Sequence, residues 1–138
     1  MITFWLEVGN MNGMTLICSK DMSLSHTRAL MLSRIGMPAD IAVDVPGVKS
    51  LCDKGRVQLA ILCHTLSDFE RMAITDMIRS RYEGTPVLTL CTGNGCDRIP
   101  QSQHIFCVYE GPGAFMLKCE TLVGRQKAQT QSQALPAC

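Results

Sequence analysis

At 138 residues, 46% hydrophobic and 18% charged, the chain has the size and composition of a single globular domain with a substantial core. A formal net charge of +1 excludes a general electrostatic attraction to nucleic acid or to a membrane surface, and 5% aromatic content argues against a base-stacking platform. Eight cysteines within a βαβ pattern fit reduced thiols in a cytosolic protein better than a disulfide framework.

The N-terminal MITFWLEVGNMNG lacks a basic region and a cleavage site, so no signal peptide is expected, and no apolar run reaches the roughly 18 residues of a membrane span. Residues 2–8 form a candidate short strand that GNMNG breaks, and residues 1–13 are expected to be an N-terminal extension docked loosely on the domain, or a misassigned start. Met14 to Cys18 (MTLIC) is the first strand. Ser19-Lys20-Asp21 is a polar elbow, in which Asp21 or Ser23 can cap a helix that runs to about Ile35 and stops at Gly36. Leu24, Met31 and Ile35 should face inward on it, helped by Thr27 or the stem of Arg28. Ile41 to Val43 reads as a short second strand; Pro46-Gly47 then turns into a short helix, Val48 to Lys54, closed by Gly55.

The stretch from Val57 to Gly93 is the most regular. Leu59 to Leu62 is an unbroken apolar run, as expected of a strand buried on both faces of a parallel sheet. Ser67 and Glu70 form a capping box; after it Phe69, Ala73, Met77 and Ile74, Ile78 recur as one apolar stripe. Gly84 stops the helix and Pro86 precedes the next strand, completing a βαβ unit with a right-handed crossover. Beyond Gly93, Gly95 and Pro100 argue against a long helix before Ser102, so the helix between the fourth and fifth strands should be shortened. Ile105 to Tyr109 is the fifth strand, Gly111-Pro112-Gly113 a turn, and Ala114 to Val123 a final helix with Phe115, Leu117, Cys119 and Leu122 inward, ended by Gly124. From Arg125 to Cys138 the chain is polar and Gln-rich without apolar periodicity, and a disordered tail is expected, leaving residues 14–124 as the domain.

This alternation argues an α/β fold: a flavodoxin-like, doubly wound, five-stranded parallel sheet in the order 2-1-3-4-5, in three layers with helices on both faces. The functional crevice of such a sheet lies at the switch between strands one and three. Ser19, Lys20 and Asp21 stand on one side of it, Cys63 and His64 on the other, and strand four adds Cys91 and Thr92.

So arranged, Met14 to Val123 resembles a response-regulator receiver domain, the phospho-accepting module of two-component signalling. The resemblance rests on the layout, the middle βαβ unit, and VLTLCTG as the family's fourth strand. In that family an acidic pair after strand one holds Mg²⁺, and an aspartate ending strand three accepts the phosphoryl group. The matching positions here are Ser19 and Lys20, with only Asp21 nearby, and Cys63. An ammonium repels Mg²⁺, and a thiol cannot make the acyl phosphate that this chemistry uses. The family's Thr or Ser at the end of strand four is Cys91, and its strand-five lysine is absent from Val108-Tyr109-Glu110. The resemblance therefore implies a stand-alone pseudo-receiver, bacterial and cytoplasmic. It would be non-enzymatic, with neither cofactor nor metal, acting in two-component or phosphorelay signalling through a protein partner or a homodimer. The twelve residues from Gly93 to His104 replace a loop and a full helix, so the family's partner face must be reshaped.

Other readings compete at the same residues. Cys63 and Cys91 should end adjacent strands within a few Å of each other, with Lys20 across the crevice favouring a thiolate: a thiol-based redox sensor. Against this, free cysteines usually serve as small buried hydrophobes. Cys63, His64, Cys91 and Cys96 are also soft metal ligands, but Cys91-x4-Cys96 is not a zinc-knuckle spacing and strand neighbours point to opposite faces. Gly93-Asn94-Gly95 lacks the Lys-Ser/Thr of a phosphate loop. His26 and His104 are isolated, Asp21, Asp68 and Glu70 read as caps, and Met22, Met31, Met72 and Met77 read as core or adaptable contact surface. A small enzyme on a flavodoxin-like scaffold is the third reading, which fold alone does not exclude.

Overall fold

Five parallel strands, β1 (Met14–Cys18), β2 (Ala39–Ala42), β3 (Val57–Leu62), β4 (Val87–Cys91) and β5 (His104–Cys107), form one sheet in the order β2-β1-β3-β4-β5. The computed structural model describes residues 13–93 and 104–134, the last ten of these by their backbone. Four helices cover the sheet: α1 (Met22–Arg34), α2 (Val45–Lys54), α3 (Asp68–Arg81) and α4 (Pro112–Ala134).

All six residues of β3 are buried, because a central parallel strand is covered on both faces. Its side chains alternate between two cores. Leu59, Ile61 and Cys63 pack with Ile17, Leu88 and Leu90 against Leu32 of α1 and Phe115, Cys119 and Leu122 of α4. Ala60 and Leu62 pack with Leu16 and Cys18 against Val48 and Cys52 of α2 and Ile74 and Ile78 of α3. The expected three-layer α/β/α architecture and strand order are thus present.

Local chemistry sets the helix starts. Asp21 accepts the Leu24 N–H at 3.1 Å, and Asp44 accepts that of Gly47 at 2.8 Å. Ser67 and Glu70 exchange side-chain-to-backbone bonds at 3.1 Å each, the full capping box. Gly13 lies at φ +83°, where a Cβ would sit 2.8 Å from the Arg56 carbonyl oxygen. The first strand therefore begins with a close backbone approach that only glycine permits.

Several expectations need correction. The second strand starts at Ala39, two residues early, because the exposed Asp40 interrupts its apolar pattern at the sheet edge. Pro46 does not turn the chain; it lies in the first turn of α2, where its missing N–H is harmless. β5 ends at Cys107, and Val108–Glu110 form a 3₁₀ turn. The last helix passes through Gly124 to Ala134, so an unstructured tail from Arg125 is not what the backbone shows. One internal glycine costs about 1 kcal/mol, and the Arg, Gln, Lys and Ala that follow are good helix formers. Phe69 and Leu117, expected inward, are exposed, while Ser25 and Thr75 are buried; of the alternatives Thr27 and Arg28, it is Arg28 that turns inward. Leu24, Met31 and Ile35 are only half-buried. The possible strand at residues 2–8, the shortened helix, Asn94-Gly95 and Cys96 lie outside the described residues. Among the described residues no helix is long and apolar enough to cross a membrane.

Candidate functional site at the switch between β1 and β3

At the C-terminal edge of the sheet the chain leaves β1 and β3 in opposite directions along the edge, opening the crevice that the topology demands. Backbone bonds fix its walls: the Ser19 N–H reaches the Ala42 carbonyl at 3.1 Å, and that of Cys63 reaches the Cys18 carbonyl at 3.0 Å. Across the gap Ser19 Oγ and Thr65 Oγ1 lie 3.0 Å apart, and Thr65 Oγ1 also accepts the Lys20 N–H at 2.9 Å. Ser19 Oγ in turn accepts the Asp21 N–H at 3.0 Å. The elbow after β1 is thus pinned to the loop after β3 by two hydroxyls.

Lys20 points away from Cys63. Its Nζ meets Glu70 Oε2 at 2.9 Å, at the first turn of α3. That contact raises the Lys20 pKa and, with the Ser67 N–H, lowers that of Glu70. The cation beside Cys63 is instead Arg28, whose Nη1 donates to Cys63 Sγ at 3.1 Å. Burial pushes the Cys63 thiol above its usual range, against the opposing pull of the Arg28 charge and of bonds from Ser19 and Arg28. The expected Lys20-stabilised thiolate is therefore corrected on both counts: a different cation serves, and desolvation outweighs it.

The expected Cys63–Cys91 proximity also fails. Leu62 pairs with Thr89, so Cys63 is level with Leu90 and shares its face of the sheet. Cys91, one residue on, falls on the opposite face by the alternation of a strand. Its Sγ lies 3.6 Å from the Phe106 carbonyl oxygen. Cys91 is disulfide-bonded, and not to Cys63, which keeps a free thiol; not every cysteine is the reduced thiol that was expected. Thr92 is half-buried just beyond β4. The crevice thus gathers Ser19, Lys20, Asp21 and Cys63, and leaves Cys91 on the far side of the sheet. Among the described residues no three His, Cys, Asp or Glu side chains come together as a metal-binding group.

Two contributions were missed. The stem of Arg28 was a candidate for the inward face of α1, between Leu24 and Met31, but the contact of its guanidinium with Cys63 was not foreseen. Thr65 offered no signal, since it meets Ser19 only through the fold.

No protein-family model matches the chain, and no curated protein matches it. Solved structures do. The receiver domain of NtrX from Brucella abortus superposes with a TM-score of 0.69 at 17% identity, over 80% of this chain and 98% of that one. A CheY-like response regulator receiver domain protein from Methanospirillum hungatei JF-1 gives 0.70 at 13% identity, over 83% and 96%. The fold is that of a receiver domain. Longer NtrX from Brucella abortus gives 0.78 at 15% identity over 88% of this chain, which spans only 29% of that protein's length. On this scaffold Cys63 directly follows β3, and Ser19 and Lys20 directly follow β1.

Proposed function

We propose that the chain is a pseudo-receiver, which passes signals in a two-component or phosphorelay circuit through contact with a protein partner or a second copy, without phosphorylation and without catalysis. The observation that carries the reading is Cys63, a neutral buried thiol held by Arg28 at the end of β3. A phospho-accepting site needs an ionised carboxylate there and further carboxylate oxygens to hold Mg²⁺. Ser19 and Lys20 supply none, and the Asp21 carboxylate is engaged in capping α1. Contact with a protein is supported by Phe69 and Met72, 79% and 60% exposed and three residues apart on α3, beside the Lys20–Glu70 pair. Exposed Phe and Met at that spacing make an adaptable apolar contact. The reading carries with it a bacterial, cytoplasmic setting.

Incubation with acetyl phosphate and Mg²⁺, followed by intact mass, should give no phosphoryl adduct; an acid-stable, base-labile adduct would refute the proposal. In pull-downs from native extract, a partner retained by the wild-type chain and by Cys63→Ser, but lost with Phe69→Asp, is the expected pattern. Retention by Phe69→Asp would move the contact elsewhere on the domain.

A further inference from the structure

Between α1 and α4, beside the ends of β4 and β5, lies a cavity of about 170 Å³. Its walls are mainly apolar, with Leu24 and Met31 beside Thr27 on one side and Leu90, Phe106 and Phe115 on the other; the Thr27 hydroxyl donates to the Ser23 carbonyl of its own helix. The one charged side chain on these walls is Arg28, and it is only 8% exposed. Among the described residues no carboxylate pairs with it, and its one hydrogen bond goes to Cys63 Sγ. A guanidinium carries five donors, and sulfur is a weak acceptor. Because burial keeps the Cys63 thiol protonated, the sulfur offers no compensating charge. A buried cation left in this state is costly, and an anion entering the cavity would relieve that cost.

We infer that this cavity binds a small monocarboxylate with an apolar body, its carboxylate on Arg28 and its ring or branched chain against Phe106 and Phe115. The size fits, since a dry cavity of roughly 150 Å³ holds a benzene ring. The chemistry fits as well: a guanidinium presents a planar fork to a planar carboxylate. A phosphate would need more donors than these mainly apolar walls supply. Since the same guanidinium touches Cys63, occupancy of the cavity would change the contacts at the end of β3, linking a ligand to the crevice 35 residues along the chain. The site goes beyond the partner-mediated role proposed above and stands or falls separately from it.

Benzoate is the probe, with benzyl alcohol as its neutral counterpart, by calorimetric titration and by the Met31 methyl resonance. The wild-type chain should bind benzoate about tenfold or more tightly than benzyl alcohol, as a charge-assisted bond predicts, and the Met31 methyl should shift on saturation. Arg28→Met should erase the preference, leaving the two probes equal. Absence of benzoate binding at millimolar concentration, equal binding of both probes to wild type, an unmoved Met31 methyl, or an undiminished preference in Arg28→Met would overturn the inference. If Arg28→Met fails to fold, the wild-type comparison and the Met31 resonance decide alone.

Discussion

Replacing Cys63 by Asp and, separately, by Asn tests whether a charged Arg28 faces the end of β3. The two side chains nearly match each other in shape, so their difference reports charge rather than packing. Arg28 is 8% exposed and its Nη1 is 3.1 Å from the sulfur. At that distance and an effective dielectric of about 20, a full negative charge is attracted by about 5 kcal/mol. Taking a carboxylate out of water returns several kcal/mol of that, whereas Arg28 is already desolvated in the wild type. A net advantage of about 1–2 kcal/mol for Asp over Asn remains, the usual margin of a charge-assisted over a neutral hydrogen bond. For a domain of this size that is roughly 3–8 °C in Tm. The sign with pH follows. Burial outweighs Arg28 at the sulfur, to which the guanidinium makes a single weak bond, but a carboxylate can take two guanidinium donors and so would be held below its unfolded value of about 3.9. The advantage is then complete above that value and disappears as pH falls through the depressed one. Thermal melts at neutral and acidic pH measure both. An Asn variant as stable as Asp at neutral pH, or a gap indifferent to acid, would refute the argument.

Ser67→Ala removes the side-chain half of the capping box and should cost about 1 kcal/mol in urea unfolding, since the Glu70 N–H then loses its partner. Glu70 is held below its usual 4.5 by Lys20 and the Ser67 N–H, and Asp53 below 3.8 by Arg81. Both therefore support the fold above those ordinary values and lose that contribution as pH drops through the lowered ones. In a carboxyl NMR titration Lys20→Met should return Glu70 towards its ordinary value while leaving Asp53 unchanged. Burial pushes the Cys18 and Cys119 thiols up to about 12 and raises that of Cys63. Mass-mapped alkylation at about pH 8 should leave these three unmodified in the native protein and label them on unfolding, and rapid native labelling of Cys63 would contradict its protonated, buried state.

Much of the fold was legible because a parallel sheet writes itself as apolar runs. Leu59 to Leu62 and Val87 to Leu90 bury both faces, so no other element accounts for them. Capping chemistry was equally local: Asp21 and Ser67 each mark a helix start by what they offer the N–H three residues on. Errors gathered where the pattern was weak or duplicated. The edge strand β2 carries Asp40 towards solvent and so lost its first two residues in the reading. Phe69 and Leu117 sit at plausible inward spacings, but the face of a helix that meets the sheet is set by the whole packing: Thr75 is buried instead of Phe69, while Phe115, Cys119 and Leu122 are buried as expected and Leu117 is not. Gly124 looked like a stop because glycine often ends helices, yet a run of good helix formers beyond it outweighs one unfavourable residue.

The crevice was legible only in part, and the reason is geometric. Strand order alone brings Ser19 to Cys63, since β1 and β3 are neighbours whose ends must meet. Which face Cys91 occupies depends on the stagger of β4 against β3, and a single residue of slip reverses it. No local pattern records that stagger, so the pair of thiols read from the sequence dissolves once Leu62 is matched to Thr89. The choice between Lys20 and Arg28 has the same origin. Lys20 is adjacent to the crevice in sequence but leaves an exposed elbow, where a long side chain swings to the nearest carboxylate, Glu70. Arg28 is two turns into α1, and the inward face of that helix carries its guanidinium under the sheet edge to the thiol. A cation fixed by a packed helix is held at its position; one on an elbow is free to pair elsewhere. The charge at the end of β3 therefore belongs to the core rather than to the surface, and any change in the Arg28 environment is felt at Cys63 before it is felt at Lys20.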